Sequence, residues 1–138
     1  MTTILVCRSE QLMVSDSKCT NGQVSFKTNK VKIVKKHVIG AAGDCTATVV
    51  FMREYPKLKT KIKDKVEFEG VALTPEGIIT YDRLMNAMCV DEDYYATGSG
   101  AVAALAVIEY QKAAGLPVDP VAAVEAVCAV DESSGGPV

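Results

Sequence analysis

Histidine and tryptophan are scarce in this sequence, and neither sign of charge dominates it. Among 138 residues there are one histidine and no tryptophan, and 15 Lys+Arg stand against 17 Asp+Glu for a net charge of -2. Without a basic excess, no nucleic-acid partner is expected. The longest uncharged apolar run, residues 101–108, is far shorter than the roughly 20 residues that span a bilayer, so no membrane partner is expected. The first residues also lack the basic segment of a secretory signal, and we therefore expect a cytoplasmic protein.

Closely spaced cysteine and histidine pairs are missing as well. The five cysteines form no Cys-x-x-Cys pair and are odd in number: Cys7, Cys19, Cys45, Cys89 and Cys128. Neither a disulfide framework nor a zinc site fits this spacing, so we expect buried thiols in a reducing compartment, no metal and no cofactor. His37 lies in an apolar, strand-like stretch, where a structural role is expected. Any catalysis then depends on a base other than histidine.

The order of the predicted elements indicates a layered α/β domain over residues 1–138 rather than an alternating doubly wound sheet. Strand-like patterns are followed by a short helix, a second group of strands and two helices. The predicted strands cover 2–7, 12–15, 19–20, 23–26, 31–34, 65–73 and 78–81, with Asn21-Gly22 as a hairpin turn. The predicted helices cover 44–55, 99–114 and 120–129, and the lysine-rich stretch 57–65 is expected to be a solvated edge or linker.

The N-terminal segment is the first place where chemistry could reside. Removal of Met1 before the small residue Thr2 would leave a threonine with both a hydroxyl and a free α-amine. An α-amine has a pKa of about 7.7–8, so it can act as a base near neutral pH without help from histidine. Many chains begin in this way without using the threonine, so the pattern alone is not specific.

Charged and small residues further along are ambiguous in the same way. Asp16 and Lys32 lie in strand-like surroundings, where a lysine is usually solvated; if they met, the lysine would lower the pKa of a nearby amine. Gly40 and Gly43 predict a close approach of the backbone to a neighbour. Ser99, between two glycines, could stabilise an anion or simply cap a helix. The Ser/Gly-rich tail from Asp131 onward would by default fray.

Together these pieces resemble the proteasome β-subunit and bacterial HslV-type peptidases, a family of N-terminal-nucleophile hydrolases. The first matching block comprises Thr2-Thr3-Ile4, Ser15-Asp16, Thr20, Lys32-Ile33 and Ala42-Gly43, and the second comprises Gly98-Ser99-Gly100 and Asp131-x-x-Ser134-Gly135-Gly136. No single motif is strong, but their order is specific. The resemblance implies an α+β, four-layer αββα sandwich, here with a shortened helical layer because residues 52–95 are fewer than in the family.

The resemblance also implies roles for individual residues. Thr2 would be the nucleophile, Lys32 would tune its amine, and Asp16 would keep Lys32 charged. The Gly43 N–H would stabilise the oxyanion, while Ser99, Asp131 and Ser134 would form a polar network around the amine. Thr20 would bind the substrate backbone as an added strand. The primary specificity pocket would be lined by Cys19, Lys30, Ala41 and Cys45.

The activity that the resemblance implies is threonine-type endopeptidase activity on unfolded polypeptides. It would act within a homo-oligomeric ring, with a separate ATP-dependent unfoldase as a further partner, since the sequence carries no ATP-binding loop. Two alternatives stay open: a non-catalytic assembly or regulatory protein of the same fold, and an N-terminal-nucleophile amidase with a narrow substrate. The short connection in place of the family's helical hairpin, and the end of the chain soon after Gly136, put the standard barrel assembly in question.

Overall fold

The computed structural model describes residues 2–21, 23–131 and 134–138. Ten strands and three helices are found in these residues. The strands are β1 Thr3–Cys7, β2 Leu12–Ser15, β3 Lys18–Asn21, β4 Val24–Lys27, β5 Val31–Val34, β6 His37–Gly43, β7 Phe68–Thr74, β8 Gly77–Tyr81, β9 Ala87–Val90 and β10 Tyr94–Gly98. The helices are α1 Cys45–Glu54, α2 Ala101–Ala113 and α3 Pro120–Val130.

Two antiparallel sheets form the centre of the molecule. One has the strand order β10-β1-β2 and the other the order β5-β6-β7-β8-β9, while β3 and β4 form a separate hairpin. Strand β1 is buried along its whole length because it has a layer on each face. Its alternate side chains divide accordingly: Ile4 and Val6 face the second sheet, and Leu5 faces α2 and α3.

The apolar core is divided into three layers. Leu5 and Val14 pack with Ile108 and Val124 of the two C-terminal helices, and a middle layer joins the two sheets. On the far side of the larger sheet, Phe51 of α1 packs on a further apolar cluster. The resulting order is helices, sheet, sheet, helix, so the predicted four-layer αββα sandwich with a shortened helical layer is confirmed.

Helix boundaries follow from the capping residues. The Asp44 and Asp119 carboxylates accept hydrogen bonds from the N–H groups of Ala47 and Ala122, which fixes the starts of α1 and α3, and Pro120 occupies the first turn of α3. The suggestion that Ser99 caps α2 is wrong, because Gly100 is the N-cap and makes no side-chain capping bond.

Two glycines confirm the predicted close approach of the backbone. A Cβ on Gly40 would lie 2.9 Å from Cδ1 of Ile4, which is the contact between the two sheets. Gly43 has φ +114°, and any Cβ there would overlap the carbonyl of Glu67. Both glycines therefore let β6 pass where a side chain would separate the layers.

The minor expectations have mixed outcomes. Residues 57–65 form a mostly exposed linker, as predicted, and β7 begins at Phe68 rather than at residue 65. Asn21 ends β3, and the other half of the predicted turn, Gly22, lies outside the described residues.

The expectation of buried thiols holds for Cys7 but is wrong for Cys45 and Cys89, which are exposed; all five thiols are free. Within the described residues, no helix is long and apolar enough to cross a membrane.

Candidate active site

Thr2 lies just before β1, at the point where two open cavities meet. The cavities have volumes of about 870 and 920 Å³, and both are lined by Thr2 and Gly43. The Thr2 carbonyl lies against Gly98 so closely that a Cβ on Gly98 would overlap it. The Ser99 hydroxyl oxygen lies 3.4 Å from the same carbonyl. The pairing of β1 with β10 therefore fixes the position of Thr2.

The carboxylate of Asp16 binds the backbone of Thr3, the residue that follows Thr2. It is fully buried and accepts hydrogen bonds from the N–H groups of Thr3 and Gly135, each at 3.0 Å. The Nζ of Lys30 lies 2.9 and 3.0 Å from its two oxygens. A buried carboxylate is stable in a protein when it is paired and hydrogen-bonded in this way. Asp16 thereby joins the N-terminal strand, the C-terminal tail and Lys30.

The expected pairing of Asp16 with Lys32 is therefore wrong, and Lys30 takes that place. The Lys30 side chain is 7% exposed, whereas Lys32 is exposed and its Nζ donates to the carbonyl of Met52, 3.3 Å away. The Thr28 N–H bonds the Ser17 carbonyl at 2.8 Å, which brings the segment before β5 alongside Asp16. Two residues of strand span about 6.6 Å, so a lysine two residues further on reaches α1 instead.

A second polar network lies behind Thr2 at the C-terminal tail. The hydroxyls of Ser99 and Ser134 each donate to Oδ2 of Asp131 at 2.9 Å. The Thr3 hydroxyl is 2.6 Å from that of Ser134, whose proton is already given to Asp131, so Thr3 is the donor. Ser134 is 3% exposed, and the Gly135 carbonyl accepts the N–H groups of Ser17 and Lys18. The tail is therefore bound at this point, contrary to the default expectation of fraying.

The larger cavity collects the residues expected to bind substrate. Cys19 and Thr20 reach it from β3, Ala41 from β6, and Cys45 from the first turn of α1, and Lys30 also lines it. The Thr20 hydroxyl is 3.3 Å from that of Ser25 across the β3–β4 hairpin. Lys30 has a second contact there, its ion pair with Asp16, which the expectation of a pocket-lining lysine did not include.

The smaller cavity is lined by the loop before β7, the start of that strand and the end of β10. Its carboxyl groups include Glu69, which accepts a hydrogen bond of 2.7 Å from the Tyr95 hydroxyl. Burial and this hydrogen bond to Glu69 raise the pKa of Tyr95 well above its ordinary value. Tyr95 therefore stays protonated at neutral pH and donates its hydroxyl proton to the Glu69 carboxyl group.

His37 takes no part in either cavity. Its Nδ1 lies 2.5 Å from the Tyr55 hydroxyl beneath the end of α1, which confirms the structural role expected for the histidine. Burial raises the pKa of Tyr55 to about 12. The histidine and tyrosine pair therefore joins β6 to α1 and does not face Thr2.

The sequence analysis includes Thr3 and Gly135 in the matched blocks but predicts no role for either. For Thr3, a polar side chain in an otherwise apolar buried strand is a usable indication of such a role. Its N–H and hydroxyl reach the two acidic centres of the site, Asp16 and, through Ser134, Asp131. Gly135 contributes a backbone N–H, and the residue type does not indicate which acceptor that N–H meets.

The sandwich of two antiparallel sheets between helices is a fold of the HslV type. Comparison with solved structures confirms the fold.

The chain is similar to eukaryotic HslV from Trypanosoma brucei, with a TM-score of 0.71, 22% identity, and coverage of 96% of this chain and 94% of that one. It is also similar to BPH from Thiobacillus denitrificans, with a TM-score of 0.69, 18% identity, and coverage of 99% and 94%. BPH in complex with epoxomicin gives a TM-score of 0.68 at 17% identity, with coverage of 98% and 94%. No family model matches the sequence, and no curated protein matches it.

Proposed function

We propose that this chain is a single-domain threonine peptidase whose nucleophile is Thr2 after removal of Met1. The supporting observation is the position of Thr2, at the junction of two cavities and directly before the strand whose first N–H binds the buried Asp16–Lys30 pair. The likeness of the fold to HslV and BPH supports the same activity. Because Lys30, rather than Lys32, pairs with Asp16, Lys30 is the lysine that acts beside the nucleophile in this proposal.

The proposed reaction has two stages, acylation and hydrolysis. The Thr2 hydroxyl oxygen attacks the substrate carbonyl, and its proton passes to the Thr2 α-amine. The peptide C–N bond then breaks, the leaving amine takes that proton, and the acyl group remains as an ester on Thr2. Water, deprotonated by the same amine, hydrolyses the ester and restores the threonine.

The surrounding residues support these steps through charge and position. The ammonium of Lys30 lowers the pKa of the neighbouring α-amine, so that the amine is neutral and basic at working pH. Asp16 keeps Lys30 charged and in place. The Gly43 N–H stabilises the oxyanion. Ser99, Asp131 and Ser134 orient the amine, and Thr20 binds the substrate as an added strand.

The proposed substrate is an unfolded polypeptide, and the proposed setting is a cytoplasmic homo-oligomeric ring. The larger cavity, with Cys19, Ala41 and Cys45 on its walls, holds the side chain that precedes the cleaved bond. A separate ATP-dependent unfoldase supplies the extended chain. The exposed thiols of Cys45 and Cys89 suit a reducing compartment.

The test compares the processed protein with variants of Thr2. Intact mass should show that Met1 is absent, and an internally quenched peptide should be hydrolysed. Thr2→Ala should lower the hydrolysis rate by about 10³-fold or more while the far-UV circular dichroism is unchanged. Thr2→Ser, which keeps both amine and hydroxyl, serves as the matched control and should retain activity. Epoxomicin, the compound bound to BPH, should inhibit the active forms.

Two results would overturn the proposal. Retention of Met1 on the purified native protein, with no peptide hydrolysis, would indicate a non-catalytic member of this fold. Hydrolysis of a small amide but of no peptide would indicate an amidase instead.

A further inference from the structure

The two cavities that meet at Thr2 carry charges of opposite sign. Among the described residues that line the larger one, the basic side chains are Lys30, Lys32 and Arg53, and there is no Asp or Glu. Among those that line the smaller one, the acidic side chains are Asp44, Glu67 and Glu69, and there is no Lys or Arg. We call them the basic cavity and the acidic cavity.

The positive charge of the basic cavity is not cancelled by its neighbours. Asp16 balances Lys30, which leaves Lys32 and Arg53. Lys32 gives one hydrogen bond to a neutral carbonyl, that of Met52, and an ammonium has three donors. Two of its donors can therefore be directed to a bound carboxylate.

Arg53 lies 3.9 Å from the Glu54 carboxylate, with its side chain 67% exposed. Glu54 also accepts the Thr60 hydroxyl and N–H at 2.6 and 2.8 Å, and these hydrogen bonds lower the pKa of Glu54. An exposed ion pair of this length contributes little. The guanidinium can thus turn toward a ligand in the basic cavity.

The hydrogen-bond donors to Asp44 and Glu69 in the acidic cavity are neutral groups. Asp44 accepts the N–H of Ala47, and Glu69 accepts the hydroxyl of Tyr95, which stays protonated. Neither hydrogen bond brings in a positive group. Glu67 is exposed at the rim of the same cavity. A cation placed there meets carboxylates at close range and no competing ammonium from the lining residues that the structure describes.

We infer, resting on the proposed peptidase activity, that the substrate is selected by opposite charges on the two sides of the cleaved bond. An acidic side chain enters the basic cavity and contacts Lys32 and Arg53, and a basic side chain enters the acidic cavity beside Glu67 and Glu69. Because the basic cavity holds the side chain before the bond, the preferred sequence is an acidic residue followed by a basic one. The reversed order places like charges together in both cavities, so electrostatic repulsion weakens binding in each of them.

The experiment uses three internally quenched peptides that differ at two central positions: Glu-Lys, Lys-Glu and Gln-Gln. The first two have the same composition and net charge, so only the order of the charges differs. For the processed protein, kcat/KM should be at least tenfold higher for Glu-Lys than for Lys-Glu, with cleavage between the two residues by mass spectrometry. The ratio should shrink as salt is raised, since exposed charges are screened.

Variants assign the preference to the residues named. The double variant Lys32→Glu with Arg53→Glu should lower the ratio of kcat/KM for Glu-Lys over Lys-Glu to about one or below, and Lys32→Gln alone should reduce the ratio severalfold. Lys36→Glu is the matched control, because Lys36 is exposed in the β5–β6 turn and lines neither cavity; it should keep the wild-type ratio. Thermal unfolding of each variant verifies that it is folded.

Equal cleavage of Glu-Lys and Lys-Glu, or a preference that the Lys32 and Arg53 substitutions do not change, would overturn the inference. In that case Thr2-dependent cleavage of Gln-Gln would leave the proposed function standing. If a protein with a verified N-terminal Thr2 cleaved none of the three peptides, the proposed function would fail and this inference with it.

Discussion

At the scale of the residue, the stability of the site depends on the partners of one buried carboxylate, that of Asp16. Asp16 has no solvent exposure, and its oxygens accept the Lys30 ammonium and the N–H groups of Thr3 and Gly135. A buried charge of this kind is costly without its partner. The same contacts that make the charge tolerable also bring the segments around Thr2 together.

Exchange of the two neighbouring lysines for methionine should separate these roles. Lys30→Met leaves Asp16 buried without its counterion and should lower the free energy of unfolding by about 3–5 kcal/mol. Lys32→Met, at an exposed position, should change it by less than about 0.5 kcal/mol. Urea denaturation followed by circular dichroism measures both.

A double variant completes this comparison. Adding Asp16→Asn to Lys30→Met removes the uncompensated charge and should recover part of the stability, but it should not recover peptide hydrolysis. Equal destabilisation by the Lys30 and Lys32 substitutions would contradict the conclusion that Lys30 is the ion-pair partner of Asp16.

At the scale of the element, α1 both covers the larger sheet and forms a wall of the basic cavity. Phe51 is fully buried, and its ring lies 5.5–5.8 Å from those of Tyr55, Phe68 and Tyr81. Gly70 of β7 makes room for it, since a Cβ there would lie 2.6 Å from the Phe51 ring. The position of this ten-residue helix therefore depends strongly on one aromatic side chain.

Truncation of that side chain should destabilise the helix and the cavity together. Phe51→Ala should lower the free energy of unfolding by about 3–5 kcal/mol, because a large void opens between α1 and the sheet. Val102→Ala is the control, since Val102 lies in α2 and is 83% exposed, so its loss should be small. Chemical denaturation gives the values. The rate of amide hydrogen exchange should increase more in α1 than in α3. An equal increase in both helices would contradict the local role of Phe51.

At the scale of the whole molecule, the surface retains large apolar side chains that the three core layers do not use. Ile33, Met88 and Val102 are 76%, 70% and 83% exposed. Single exposed apolar residues are ordinary in monomers, but contacts between copies would bury several of them. The proposed homo-oligomer gives them a role.

The oligomer makes a prediction about concentration. Light scattering after gel filtration should give a mass that is a multiple of 14.7 kDa, and the midpoint of thermal unfolding should rise with protein concentration because association favours the folded state. A monomer whose unfolding midpoint does not depend on concentration would contradict the ring assembly and leave the chemistry at Thr2 to be judged by its own test.

The sequence by itself determined the elements whose information is local. β-Rich apolar residues indicated β1 and β2, Asp119-Pro120 indicated the start of α3, and Gly40 and Gly43 marked the points where β6 passes close to a neighbour. Each of these depends on neighbours in the chain or on the conformational freedom of a single residue. The αββα architecture was implied by the resemblance that the order of small motifs carries.

Only the tertiary structure decided which lysine meets Asp16. Lys30 and Lys32 lie two residues apart and both line the basic cavity, and the resemblance implied Lys32 as the partner of Asp16. The choice is made by the bond between Thr28 and Ser17, which sets how far β5 advances past the carboxylate. The contribution of Gly135 and the opposite charges of the two cavities were decided in the same way. They arise where segments distant in sequence meet, and charge in a cavity depends on which side chains face it together.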